Sequence, residues 1–213
     1  MRKAIALSIL ALAGSAGSAF AATGGSILSL GVFQGVGDYA GPELGSGYIS
    51  AFDHSELGVG AEYWYMFADD YALAIQGAIG FFSETNEPGE NAVGGPEAKF
   101  STSSFKLRVG GDRVGQIGER FTWFMGPGVE FWSGKATFEE FFGSGEVETE
   151  STTRIGVNGR VGGIMKLSDS VGIQGQVGHT LGYATAEEAG AKATWYPSSF
   201  NASWGLAFSF GGN

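Results

Sequence analysis

Charged and amide side chains occupy alternate positions in several otherwise apolar segments of this sequence. Alternate residues of a β-strand point to the same face, so such residues would form one polar track per strand. A buried charge without a partner is costly, and we therefore expect Glu62 and Glu130 to pair with arginines or with Lys106. The residues that would form this polar network are Glu62, Gln76, Lys106, Arg108, Glu130, Arg154, Asn158, Arg160 and Lys166.

Residue types that support nucleophilic catalysis are scarce. The chain has no cysteine and only two histidines, which excludes a thiol nucleophile and a disulfide scaffold. In His54-Ser55-Glu56, successive side chains of a strand would point to opposite faces. His179 has Leu181, not a serine, two residues further on. The sequence therefore predicts no catalytic site, and it offers no spaced motif for a metal or a cofactor.

The first 22 residues are typical of a secretory signal peptide. Arg2 and Lys3 precede an apolar run over residues 4–12, and Ala19-Phe20-Ala21 matches the cleavage pattern of small residues. The predicted mature domain covers residues 23–213. Without Arg2 and Lys3 it has 10 Lys+Arg against 22 Asp+Glu, a formal charge of −12. This charge argues against nucleic acid as a partner, because phosphates require basic residues.

The mature domain follows a two-residue hydrophobic period, which is typical of strands. One face of each predicted strand is apolar, and the other consists of Gly, Ser, Thr, Gln and charged residues. Pro127 cannot donate a ladder hydrogen bond, so we expect a β-bulge there. The eight predicted strands cover residues 27–36, 55–67, 71–82, 102–111, 120–132, 153–167, 171–183 and 198–210.

The connectors and the aromatic residues indicate which face is outside. Short links at 68–70 and 168–170 and a modest one at 112–119 alternate with long ones at 37–54, 83–101, 133–152 and 184–197. Aromatic residues gather near both ends of the strands, as interfacial girdles require. The pattern predicts an all-β fold, an eight-stranded antiparallel up-and-down transmembrane β-barrel. The alternative is a soluble lipocalin-like barrel, which would not need two aromatic bands.

Two segments also resemble a known family. The run Gly58-Val59-Gly60-Ala61-Glu62-Tyr63-Trp64-Tyr65, with its Asp69-Asp70 turn, is similar to a hairpin of small outer-membrane barrels. The closing run Trp204-Gly205-Leu206-Ala207-Phe208-Ser209-Phe210 is similar to their final strand. These barrels include opacity-like and attachment-type proteins and the N-terminal barrel of the outer-membrane protein A family.

The resemblance implies a location in the outer membrane of a Gram-negative-type cell. It also implies contact with outer-membrane lipid and lipopolysaccharide, and with periplasmic chaperones and the barrel assembly machinery during biogenesis. We expect a monomeric, non-enzymatic barrel with a lumen filled by side chains and a structural or adhesive role. The alternatives are a narrow gated channel for ions or small solutes and, third, an enzyme that modifies lipid A.

The long connectors are acidic, which favours a solvated surface. The third connector also contains three phenylalanines, which solubility does not require. Three roles are open for them: packing over the barrel mouth, insertion into the lipid interface, or contact with an extracellular partner that the sequence does not identify. We take this connector as the candidate recognition surface. The candidate contact residues are Phe138, Glu139, Glu140, Phe141 and Phe142.

Overall fold

The computed structural model describes residues 23–38, 53–86, 98–140, 145–148, 152–188 and 191–210. The predicted signal peptide, residues 1–22, lies outside them. The described residues contain no helix long and apolar enough to cross a membrane. Their strands are β1 (Ser26–Asp38), β2 (Asp53–Ala68), β3 (Tyr71–Asn86), β4 (Ala98–Ile117), β5 (Phe121–Glu140), β6 (Gly145–Glu148), β7 (Thr152–Lys166), β8 (Val171–Glu188), β9 (Ala191–Trp195) and β10 (Ser198–Phe210).

Eight of these strands close into a barrel, which confirms the predicted fold. Each pairs antiparallel with its neighbour in the order β1, β2, β3, β4, β5, β7, β8, β10. The last strand returns to the first, with Ser26 opposite Phe210 and Asp38 opposite Ser198. The short strands β6 and β9 were not predicted; they add to β5 and β8 outside this ring.

The burial of alternate residues shows which face is outside. Leu57 and Val59 of β2 are more than half exposed, whereas Trp64 and Met66 of the same strand are completely buried. The outer wall is therefore apolar, and the polar track faces the lumen. Such a wall suits hydrocarbon and not water.

Aromatic residues ring both ends of the outer wall. Tyr63, Tyr65 and Phe210 are exposed near the short turns, and Tyr183 and Tyr196 are exposed near the long connectors. The rings of Tyr183 and Tyr196 lie 5.8 Å apart.

One aromatic residue near the long connectors faces the lumen and not the outer wall. Trp132 stands on the inward track of β5, with the guanidinium of Arg154 6.0 Å from its ring.

The three short turns all lie at one end of the barrel, here called the short-turn end. Residues 69–70 join β2 to β3, residues 118–120 join β4 to β5, and residues 167–170 join β7 to β8. The predicted link at 112–119 was too long, because β4 continues to Ile117. Gly118 makes the turn with a φ of 63°, a conformation that favours glycine.

The β-bulge predicted at Pro127 is absent from the β4–β5 ladder. Gly110 stands opposite Gly128 and Arg113 opposite Met125, so the register is the same on both sides. The missing N–H of proline removes rungs from the ladder without inserting a residue. A register shift occurs instead in the β2–β3 ladder, between Met66 and Ala68.

An apolar layer fills the lumen at the short-turn end. The rings of Trp64 and Phe124 meet edge to face there, with centroids 4.4 Å apart. The inward residues of this layer, called the apolar plug below, are Ile27, Trp64, Met66, Ala72, Ala74, Val114, Phe124, Ile164 and Ala207.

Candidate functional site

The charged part of the lumen lies directly above the apolar plug and is centred on Arg160. The guanidinium of Arg160 donates to the carboxylates of Asp112 and Glu62, with an Nε–Oδ1 distance of 3.1 Å to Asp112. Its Nη1 also donates to Oε1 of Gln176 at 2.7 Å. All four side chains come from different strands, so this centre ties β2, β4, β7 and β8 together across the lumen.

Two aromatic rings of the apolar plug support Arg160 from below. The guanidinium carbon lies 5.3 Å from the centroid of Trp64 and 5.1 Å from that of Phe124. A guanidinium over an aromatic face is favourable, and more so when both are out of water. The plug therefore contributes to holding the charge as well as to closing the lumen.

Arg108 lies beside this centre in a cradle made by glycines. Its Nε donates to Oδ1 of Asn158 at 2.7 Å, and its Nη2 lies 3.6 Å from Asp112. A Cβ at Gly110 would come within 2.7 Å of Nη2, and one at Gly128 within 2.9 Å of the guanidinium carbon. Glycine on these inward positions makes the space that the arginine fills.

A second cluster surrounds Glu130, nearer the long connectors. Its Oε1 accepts from Nη2 of Arg154 at 2.7 Å, and its Oε2 accepts from the hydroxyl of Thr180 at 3.2 Å. The ammonium of Lys106 lies 3.7 Å from the same Oε2 and donates to Oδ1 of Asn201 at 2.7 Å. These side chains are almost completely buried, apart from half-buried Asn201.

The structure places seven of the nine residues named from sequence in these two clusters. Gln76 is half-buried and lines a cavity in the lumen, between the clusters. Lys166 lies apart, partly exposed at the short-turn rim, with Ile164 of the plug between it and Arg160.

Sequence reasoning missed Asp112, although it is completely buried and bonded to Arg160. An Asp-Arg pair followed by Gly115 and Gly118 suggests a turn. The signal that could have found it is the alternation of Asp112, Val114 and Gln116 with Arg113 and Gly115, which extends the strand by six residues.

The histidines give no assembled catalytic triad in the described side chains. Those of His54, Ser55 and Glu56 lie outside the described part of the chain. His179 is exposed on the outer wall, and its Nε2 lies 2.9 Å from the hydroxyl of Ser198 on β10. A serine hydrolase also requires a carboxylate that orients the imidazole. No group of three His, Cys, Asp or Glu side chains within the described ranges could hold a metal ion.

Strands β4 and β5 continue well beyond the barrel. β4 and β5 have 20 residues each, about twice the 9–11 that a tilted strand needs to cross a membrane. Outside the barrel they form a ribbon with the end of β3 and with β6. We call this the projecting ribbon; it comprises residues 82–86, 98–102, 136–140 and 145–148.

Three of the five candidate contact residues belong to the backbone of the projecting ribbon and not to a loop. Phe138 stands opposite Phe100 and Val147, Glu139 opposite Lys99 and Glu146, and Glu140 opposite Ala98 and Gly145. The predicted connector at 133–152 is therefore shorter, because part of it is strand. The other two candidates, Phe141 and Phe142, lie outside the described residues.

Comparison with solved structures identifies the fold. The attachment invasion locus protein Ail of Yersinia pestis, solved with the heparin analogue sucrose octasulfate, is 16% identical, with a TM-score of 0.51. The alignment covers 88% of this chain and 99% of that one. The outer membrane protein OprG of Pseudomonas aeruginosa is also 16% identical, with a TM-score of 0.51, over 89% of this chain and 97% of its own.

This chain has the fold of the small eight-stranded outer-membrane β-barrels. The resemblance drawn from its hairpin and its final strand is confirmed. With its apolar, lipid-facing wall, this is the architecture of an outer-membrane protein. No protein-family model matches the sequence, and no curated protein does.

Proposed function

We propose that this protein is a non-enzymatic outer-membrane barrel that contacts a basic partner outside the cell through its projecting ribbon. The observation that carries the proposal is the contrast between the two ends of the molecule. The short-turn end is closed by the apolar plug, whereas the other end carries paired strands far beyond what a membrane requires. Function in this fold resides in what is added to the barrel.

The charge of the ribbon supports a basic partner. The paired positions of the ribbon include four glutamates, Glu139 and Glu140 on β5 and Glu146 and Glu148 on β6. Lys99 is the basic residue opposite Glu139. The whole mature domain carries a formal charge of −12. Complementary charge speeds encounter and selects against partners of the same sign. A polyanion such as the heparin analogue bound by Ail would be repelled by this surface.

The phenylalanines supply the apolar component that a specific contact needs. The backbone register sets Phe138 beside Phe100 and Val147, and residues on directly opposite positions of a sheet lie close together. Interfaces are enriched in aromatic residues and anchor on a few of them. An acidic ribbon with aromatic positions therefore fits a basic protein surface better than it fits a small solute.

The test compares two matched variants of the protein in neutral phosphatidylcholine vesicles. The first carries Glu139→Lys, Glu140→Lys and Glu146→Lys in the ribbon. The second carries Asp69→Lys, Asp70→Lys and Asp169→Lys in the short turns, with the same change of net charge. The probes are immobilised protamine and immobilised heparin.

We expect the native protein and the short-turn variant to bind protamine and not heparin. The ribbon variant should bind protamine at least tenfold more weakly. Equal loss in both variants would show that only net charge matters and would contradict the proposal. A preference of the native protein for heparin would contradict it too.

A conducting lumen is the competing function. The bonded centre at Arg160 and the plug beneath it oppose ion passage, because an ion would have to displace buried pairs and then cross an apolar layer. Single-channel recording separates the two functions directly.

A further inference from the structure

The lumen contains a small cavity between the Arg160 centre and the Glu130 cluster. Its volume is about 30 Å³. A water molecule needs at least about 10–15 Å³ of cavity, so the space suits one monatomic ion with a water beside it. Asn158, Gln176 and Asn201 supply amide groups to the wall. The cavity is therefore polar and large enough for a ligand of atomic size.

The cations around this cavity outnumber the carboxylates. Lys106, Arg108 and Arg160 line it, and Glu130 is the one carboxylate among the lining residues within the described part of the chain. Both oxygens of Glu130 already accept hydrogen bonds. Across the described lumen, four buried bases face three buried acids, namely Lys106, Arg108, Arg154 and Arg160 against Glu62, Asp112 and Glu130.

One donor on the wall of the cavity lacks an acceptor. Arg108 is 1% exposed, and its Nη1 is buried without a hydrogen-bond partner among the described residues. Its Nε and Nη2 are engaged, by Asn158 and by the oxygens of Gly126 and Asp112. A buried guanidinium N–H left unsatisfied costs more than an ordinary unpaired donor, because the group is charged. A residue of the cavity wall therefore carries both positive charge and a donor without an acceptor.

From these three observations we infer that the lumen holds one small monovalent anion, chloride or a halide of similar size, against Nη1 of Arg108. The anion supplies the missing acceptor and offsets the excess positive charge of the closed lumen. Its role is to stabilise the closed barrel, since a ligand that binds the folded state raises stability in proportion to the logarithm of its concentration. This inference concerns the lumen and does not depend on the partner of the ribbon.

The first experiment measures stability against the identity of the anion. The mature protein is refolded in detergent in sodium chloride or in sodium gluconate at equal ionic strength, and unfolded with urea. We expect the urea midpoint to rise with the logarithm of the chloride concentration once that concentration exceeds the dissociation constant, and to stay constant in gluconate. Gluconate is too large for the cavity and serves as the control for screening.

Two variants on β4 distinguish an anion site in the lumen from an anion site on the surface. Arg108→Gln should lose the chloride dependence, whereas Arg113→Gln, an exposed position on the same strand, should keep it. If Arg108→Gln does not refold, crystals of the native protein grown in sodium bromide provide the second measurement. Bromide should then give one anomalous peak inside the lumen beside Arg108.

Two results of these experiments would each rule out an anion at Arg108. Equal midpoints in chloride and gluconate, with no bromide peak in the lumen, would overturn the inference and leave a water molecule as the occupant. A chloride effect that survives in Arg108→Gln and disappears in Arg113→Gln would place the anion on the surface and would overturn it as well. Neither result would affect the binding of protamine by the ribbon.

Discussion

At the scale of single residues, the barrel interior depends on Arg160. It contacts two carboxylates, an amide and two aromatic rings, and all of them come from other strands. A complete buried ion pair gives little net stability, because desolvation offsets the attraction, but removal of one partner leaves the other charge unpaired. Glu62 would then lack a cationic partner, and Asp112 would keep only Arg108, 3.6 Å away.

Arg160→Met, which keeps an unbranched apolar chain and removes the guanidinium, should therefore destabilise the protein by about 3–5 kcal/mol. The measurement is urea unfolding in phospholipid vesicles, followed by tryptophan fluorescence. Arg113→Met, an exposed arginine on β4, is the control and should change stability by less than about 0.5 kcal/mol. Equal stability of the two variants would contradict the role given to Arg160.

The inward orientation of these residues was predictable from the sequence, but their ion-pair partners were not. Alternation placed Glu62 and Arg160 on inward tracks, and the cost of buried charge required partners for them. The choice of partner depends on how the strands are staggered around the barrel, which a linear pattern does not contain. Asp112 shows this, because its partner Arg160 lies on β7, which is not adjacent to β4 in the barrel.

At the scale of elements, the strands differ in length, because some only cross the membrane and others continue outside it. β1 and β10, with 13 residues each, are only slightly longer than a transmembrane strand. β4 and β5 continue into the projecting ribbon. Sequence predicted the short turns well, because 68–70 and 168–170 are brief polar breaks between apolar runs. It underestimated the ribbon, because outside lipid the alternation of apolar and polar residues is no longer enforced.

The direction of the ribbon can be tested with single cysteines, since the native chain has none. Outer-membrane barrels keep short turns in the periplasm and long connections outside. A membrane-impermeant maleimide should therefore label Lys135→Cys on β5 in intact cells. Asp169→Cys, in a short turn, should react only after the outer membrane is permeabilised. The opposite pattern would mean that the ribbon faces the periplasm.

At the scale of the whole molecule, the protein reverses the usual arrangement of apolar and polar surface. Leucine, valine and aromatic residues cover the outside, while charges and amides fill the middle of the lumen above an apolar plug. The reversal was predictable from eight alternating segments, asymmetric connectors and two aromatic bands. The plug was harder to foresee, because Trp64, Met66 and Phe124 are apolar residues on inward tracks and form a layer only when the barrel closes.

We propose that this barrel is closed and acts through its outer surface. Single-channel recording of the refolded mature protein in a planar lipid bilayer tests it most directly. We predict no discrete conductance steps from protein whose folding has been verified by its resistance to urea. Regular steps that change in size when Glu62→Gln or Arg160→Met is introduced would contradict the account and show that the lumen conducts.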